Sequence, residues 1–378
     1  MKYRTMGKLG IKASAFGLGC MRFNGAASGD SVIDEQKAVS LIRRAIDGGV
    51  TYIDTAYVYL DKTSEIVLGK ALLDGYRDKV TIATKVPPDM VNSRADLERI
   101  LAEELEKLQT DHIDFYLMHA MNRQKWEHMK AIGAPEFFDD MKREGKIRYK
   151  CFSFHGPYEE FEYILNDWDW DMCQIQYNFM DINNQAGTKG LELAGSKGIP
   201  VVIMEGLLGG RLASAPDNVQ ALYDAFPVKR SAVEWAFRWL CNRPEVAVVL
   251  SGCNETEQID ANLRIFDTVD TGIMSEAELK LIDKVREAYI SRTKIGCTGC
   301  RYCMPCPNGV NIPGIFSAWN NWSLYGTSPK EDWMFRMILD KNNGADNCVS
   351  CAACEAACPQ HLSIIESLVS AWSDLTGT

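Results

Sequence analysis

Eight short β-rich segments recur through the first 252 residues, each followed by a stretch with helical spacing, and no other feature narrows the fold as far. The segments are residues 13–20, 51–55, 80–85, 113–119, 147–154, 171–178, 200–204 and 246–252. Between them, stretches such as EQKAVSLIRRAIDGG, SRADLERILAEELEKLQ and SAVEWAFRWLC repeat apolar residues at three- and four-residue intervals, the mark of a helix with one buried face. Eight strand–helix alternations over about 250 residues is the rhythm of an α/β chain closing into a (β/α)8 TIM barrel. A doubly wound sheet would instead open a helix on G-x-G-x-x-G after the first strand, and GLGCMRF does not fit.

Composition excludes some functions. The chain has 378 residues, 46% hydrophobic and 24% charged, with a net charge of −10 and no basic run. Nucleic acid is therefore not an expected partner. No apolar stretch approaches the roughly 20 residues of a spanning helix, and the first 19 residues lack the continuous apolar block of a secretory signal. The expectation is a cytoplasmic protein with no membrane role.

Eight of the 13 cysteines fall in two runs after residue 296. Thiols three positions apart suit several thiolates converging on one inorganic cluster, because short loops can turn each sulfur inward. Cys348, Cys351, Cys354 and Cys358, followed by Pro359, have the C-x2-C-x2-C-x3-C-P spacing of bacterial ferredoxins. Cys297, Cys300, Cys303 and Cys306, followed by Pro307, differ by one residue. Zinc knots would also take four thiolates each, but usually from two separated C-x2-C pairs. Resemblance to two-cluster ferredoxins implies two [4Fe-4S] clusters with crossed ligation: Cys297, Cys300, Cys303 and Cys358 around one, Cys348, Cys351, Cys354 and Cys306 around the other. The 41 residues between Cys306 and Cys348 carry Phe316, Trp319, Trp322, Tyr325, Trp333 and Phe335, expected to pack as helices over the clusters. The expected domains are a barrel at 1–274, a linker helix at 275–293 and a small, mainly helical iron–sulfur domain at 294–378.

In such a barrel the chemistry lies where strands end. The second strand leads through Asp54 to Tyr59, the third ends at Lys85 and the fourth at His119. In these contexts the sequence resembles the aldo/keto reductases, whose catalytic tetrad is Asp, Tyr, Lys and His in this order. The likeness continues through KREGKIRYKCFSFHG, QIQYN, GLLGGRLA and LSGCNETEQIDANL. With its tail, the whole chain resembles the subgroup carrying a C-terminal ferredoxin-type domain. The tetrad also makes sense chemically: Asp54 holds Lys85, whose charge is expected to lower the pKa of Tyr59, and Tyr59 protonates a carbonyl oxygen that His119 orients.

The resemblance implies cofactor contacts too. Ser153 and Gln176 match positions that hydrogen-bond a nicotinamide carboxamide. Gly206, Leu207, Gly209, Gly210 and Arg211 match the loop beside the pyrophosphate, and Ser251, Gly252, Gln258 and Asn262 the loop after the last strand. Two positions depart from the family: Phe154 stands for the usual asparagine and Gly206 for the usual proline. The stretch 251–263 has no lysine or arginine for the 2′-phosphate of NADP, so its Glu255 and Glu257 favour NAD(H) over NADP(H).

A nicotinamide passes two electrons together, whereas a cluster passes one. The chain is thus expected to be an oxidoreductase acting on a small carbonyl or alcohol, with the clusters serving electron transfer. Two alternatives are a ferredoxin-fed enzyme holding FMN at the barrel top, with ferredoxin as redox partner, and an electron carrier or redox sensor with an idle barrel. Arg22 and His155 are secondary candidates for an anion contact and for proton handling. His361 is expected to pack near a cluster, and Cys20, Cys151, Cys173, Cys241 and Cys253 to be buried thiols.

Overall fold

The computed structural model describes residues 1–23 and 33–377, which fall into two compact units: residues 1–209 with 233–276, and residues 210–232 with 277 onward. The first begins with an antiparallel hairpin of β1 (Tyr3–Thr5) and β2 (Lys12–Ser14), turned through Gly10 at φ 69°. All eight expected strands follow: β3 (Phe16–Gly19), β4 (Tyr52–Asp54), β5 (Thr81–Val86), β6 (Ile113–Met121), β7 (Ile147–Phe154), β8 (Met172–Gln176), β9 (Val201–Met204) and β10 (Val246–Ser251). They pair in parallel in sequence order, and β10 closes on β3. The first expected strand was too long, because 12–14 turn away into the hairpin and only 16–19 enter the barrel.

Helices cover the barrel with the faces their spacing predicts. In α1 (Glu35–Asp47) the buried residues are Ala38, Leu41, Ile42, Ala45 and Ile46, and Asp34 caps the helix by accepting from the Lys37 N–H. The others in this unit are α2 (Ser64–Ala71), α3 (Arg94–Leu108), α4 (Arg123–Ala131), α5 (Ala134–Arg143), α6 (Tyr158–Asp167) and α7 (Gly187–Ser196). Beyond α8 (Asp217–Ala225), which belongs to the second unit, come α9 (Ala232–Cys241) and α10 (Thr256–Phe266). Inside the barrel, Tyr52, Ala83, Phe115, Leu117, Cys151, Met172 and Val202 pack together with Met6 and Ala13 of the hairpin. That layer fills the end where strands begin and leaves the other end for side chains two residues further along each strand.

The second unit is built on α11 (Glu276–Ile290), α12 (Ile312–Tyr325), α13 (Trp333–Asp340), the single turn α14 (Ala353–Ala356) and α15 (Ile364–Thr376). Ile312, Ile315, Phe316 and Trp319 pack against Leu368, Ala371 and Leu375, with Phe335 and Ile338 alongside. The Asn320 amide bonds the backbone of Lys294 and Ile295 and so ties the segment before Cys297 to α12. Trp333, expected to pack, is 59% exposed because it opens its helix and the Asp332 cap turns it outward.

Candidate active site

The four expected side chains come together by a simple rule. Tyr52, Ala83 and Leu117 face the barrel interior, so two residues on, Asp54, Lys85 and His119 face it one layer higher. Lys85, 1% exposed, donates to Asp54 Oδ1 at 2.7 Å and to the Thr55 carbonyl at 2.5 Å. Asp54 Oδ2 is buried without a hydrogen bond. Tyr59 arrives from the loop after β4, its ring 4.8 Å from the Lys85 ammonium and edge-on to His119 at 5.6 Å. All four expected side chains therefore meet at one point.

Their ionisation suits proton donation to a neutral acceptor. Burial alone would pull the Lys85 pKa down, but Asp54 and Tyr59 together hold it above its ordinary value, so it stays an ammonium. Burial raises the Tyr59 phenol and Lys85 opposes it, with burial the stronger. This corrects the expectation of a lowered phenol: Lys85 acts in the expected direction, yet desolvation outweighs it and Tyr59 remains protonated. Burial, with the charges of Lys85, His155 and Lys125, takes His119 down to about 3, so its ring is a neutral imidazole at neutral pH.

The residues expected to touch a dinucleotide are placed less uniformly. Ser153, 1% exposed, accepts from the Ala120 N–H at 2.8 Å and keeps its own hydrogen to donate. Gln176 donates to Asp181 and accepts from Gln185, whose Oε1 lies 3.2 Å from His155 Nδ1. One donor and one acceptor site of Gln176 remain. Phe154 is buried against Phe161 at 5.2 Å, a packing role in place of the family's amide. Gly206 lies against Leu240, where a Cβ would come within 2.8 Å. Leu207 is half-buried on the core, and Gly209 and Gly210 turn the loop at φ 68° and 96°. The Arg211 guanidinium lies 3.5 Å from Asp332 within the second unit.

In the loop after β10, the Asn262 amide donates to Ser251 Oγ and the Cys253 thiol, and Gln258 accepts from the Asn254 N–H. Arg22 lies over Gly252, with its guanidinium 3.9 Å from Glu205. Although 251–263 has no lysine or arginine, Lys37 of α1 reaches Glu255 at 2.7 Å. Nothing local in the sequence marks this pair, nor the Gln176–Gln185–His155 chain.

The eight tail thiols stand in two rings that exchange one cysteine each. Cys297, Cys300, Cys303 and Cys358 line a small cavity with Ile312, Phe316 and Leu362. Cys306, Cys348, Cys351 and Cys354 line a second, also touched by Cys303. Burial raises the Cys303 thiol, with Cys297, Cys300 and Cys358 adding to the rise. Among the described residues no group of three or more His, Cys, Asp or Glu side chains could hold a single metal ion. Sulfurs spaced around apolar cavities fit iron–sulfur clusters and reproduce the crossed ligand sets. Cys20, Cys151, Cys173, Cys241 and Cys253 are buried free thiols. His361 turns at φ 52° next to the second run.

Comparison with known proteins agrees with this architecture. Residues 15–287 match the sequence model of the aldo/keto reductase family, and 296–363 that of a 4Fe-4S dicluster domain. The chain is 40% identical over 127 residues to aldo-keto reductase YhdN of Bacillus subtilis, covering 32% of this chain and 38% of that protein. It is 24% identical over 312 residues to the oxidoreductase YqkF of the same organism, covering 75% and 95%. The holo form of aldo-keto reductase AKR11C1 from Bacillus halodurans superposes with a TM-score of 0.64 at 26% identity, covering 75% of this chain and 96% of that one. No helix among the described residues is long and apolar enough to cross a membrane.

Proposed function

Because this chain belongs to the aldo/keto reductase family of oxidoreductases and carries a 4Fe-4S dicluster domain behind its barrel, we propose that it moves hydride between a nicotinamide dinucleotide and a small carbonyl or alcohol. The observation that carries this reading is the buried Asp54–Lys85 pair set against Tyr59, with a neutral His119 beside it. In the reductive direction, Tyr59 gives its phenolic proton to the carbonyl oxygen. The Lys85 ammonium stabilises the phenolate that remains, and Asp54 keeps that ammonium charged and in place. His119 directs a ring N–H at the same oxygen and polarises the carbonyl without releasing a full proton.

Ser153 and Gln176 would hold the carboxamide, and the two thiol rings would hold two [4Fe-4S] clusters. When bound, the dinucleotide supplies the hydride and the clusters carry single electrons to or from a one-electron partner. NADH suits the loop after β10, because Glu255 neutralises Lys37.

The test is protein purified without oxygen, analysed for iron, zinc and extractable flavin, then given NADH or NADPH with 4-nitrobenzaldehyde, as wild type and as Tyr59→Phe. About eight irons per chain, no flavin, and turnover that falls at least a hundredfold in the variant are expected. Stoichiometric FMN, or turnover untouched by Tyr59→Phe, overturns the reading.

A further inference from the structure

We infer that Glu65 is a positioning residue for Tyr59 and Lys85, an inference that rests on the catalytic reading above. Tyr59 sits on a loop with three successive residues, Leu60, Asp61 and Lys62, at positive φ, a costly conformation that needs anchors at both ends. Near the start, Tyr57 N–H bonds the Lys85 carbonyl, and the Tyr57 hydroxyl donates to Glu103 at 2.6 Å. At the far end, Ser64 Oγ donates to the Cys20 carbonyl and pairs with Thr55 Oγ1, both at 2.8 Å. Glu65 completes that anchor.

Glu65 is wholly buried, and its oxygens reach two different elements. Oε1 accepts from Thr84 Oγ1 at 2.6 Å, and Oε2 meets the Lys107 ammonium of α3 at 3.2 Å. Thr84 is the residue before Lys85, so on a strand the two side chains point to opposite faces. Glu65 therefore grips the outer face of β5 where Lys85 projects inward. Lys107 also lies 3.9 Å over the Tyr57 ring, and the backbones of α2 and α3 are so close that a Cβ on Gly69 would overlap the Lys107 carbonyl. The carboxylate thus links the Tyr59 loop, the Lys85 strand and α3.

A second acid lies next to it. Glu104 of α3 is equally buried and occupies the helix's apolar stripe, beside Tyr116 and Glu65 and without a cation of its own in an ion pair. Burial, reinforced by Glu65, drives its pKa well above the ordinary carboxylate range, so it is a neutral acid. Burial raises Glu65 as well, but Thr84 and Lys107 oppose that rise, so of the two acids Glu65 is the one whose ionised form is favoured.

The division of roles is testable in the full-length protein. Glu65→Gln and Thr84→Val are expected to lower kcat with NADH and 4-nitrobenzaldehyde about tenfold or more, since displacements near 1 Å at a reacting pair have costs of that order. The KM for NADH stays unchanged, and Thr84→Ser, which keeps the hydroxyl, restores most of the rate. Glu104→Gln is expected to leave kcat unchanged. The second readout needs no turnover: the tyrosinate absorbance of each protein minus that of its Tyr59→Phe counterpart gives the Tyr59 titration. It moves to higher pH in Glu65→Gln and Thr84→Val as the phenol loses Lys85, a shift that a purely stabilising role would not produce. Unaltered kcat with an unmoved Tyr59 titration in both variants overturns the inference. Full activity in Tyr59→Phe instead overturns the catalytic reading, and the titration still decides the role of Glu65.

Discussion

Replacing Asp54 by Asn tests the buried ion pair most directly, because the swap removes a charge while nearly keeping the shape. Lys85 and Asp54 are 1% and 4% exposed at their side chains and 2.7 Å apart. Removing one partner of a buried pair typically costs about 3–5 kcal/mol, since the other charge is stranded. Lys85 has an escape: without Asp54, burial is free to pull its pKa down and the ammonium can shed its proton. Shedding it at pH 7 from an ordinary pKa of about 10.4 costs about 4.6 kcal/mol, which caps the deficit, and by pH 9 the cap is about 1.9 kcal/mol.

The sign follows. In the wild type Lys85 is charged folded and unfolded, so this group adds no slope between pH 7 and 9. In the variant the folded state holds Lys85 neutral while the unfolded chain still binds its proton, so stability rises with pH by about 1.4 kcal/mol per unit. Urea unfolding of both proteins without oxygen at pH 7, 8 and 9, followed by tryptophan fluorescence, measures this difference. A deficit that shrinks with pH supports the argument. A deficit constant from pH 7 to 9 refutes the neutralisation of Lys85, and no deficit at pH 7 refutes the buried pair itself.

Three further outcomes are expected. His119, at about 3 in the fold against roughly 6.5 unfolded, withdraws stability as pH falls from near 6.5 toward 3, and His119→Gln should remove that part of an acid-unfolding profile. Cys358→Ser should take about four irons from the ring of Cys297, Cys300 and Cys303 and leave the ring containing Cys306 loaded, read by iron analysis and by the electron paramagnetic resonance of the dithionite-reduced protein. Retention of the Cys297 ring would disprove the crossed arrangement. Glu255→Gln frees Lys37 and should shift the ratio of kcat/KM toward NADPH by about tenfold; an unchanged ratio would show that Lys37 does not face the 2′ position.

Local order was legible in the sequence because it follows from local rules. Strands announce themselves by β-rich runs and helices by three- and four-residue spacing, so each of the eight barrel strands overlaps its β-rich run, the first shortened to 16–19, and a helix opens at Glu276 as the pattern puts it. The tail was legible for a different reason, since thiolate spacing is imposed by the group they bind. The convergence of Asp54 and Lys85 was legible because period two along a strand carries the inward face from Tyr52 to Asp54 and from Ala83 to Lys85.

Long-range pairing was not. Lys37 meets Glu255 across 218 positions, and Arg211 pairs with Asp332, a partner far along the chain that the segment 210–232 shares a compact unit with. Glu65 and Glu104 look like ordinary helix acids, although Glu104 sits three residues after Leu101 and four after Ile100 on a stripe that spacing marks as buried. What the sequence alone determined was which elements form, which faces they bury and which thiols gather. Tertiary structure decided which charges are neutralised, because desolvation and ion pairing depend on distances that only the closed fold sets; hence Tyr59 stays a protonated phenol beside a cation that would otherwise have lowered its pKa.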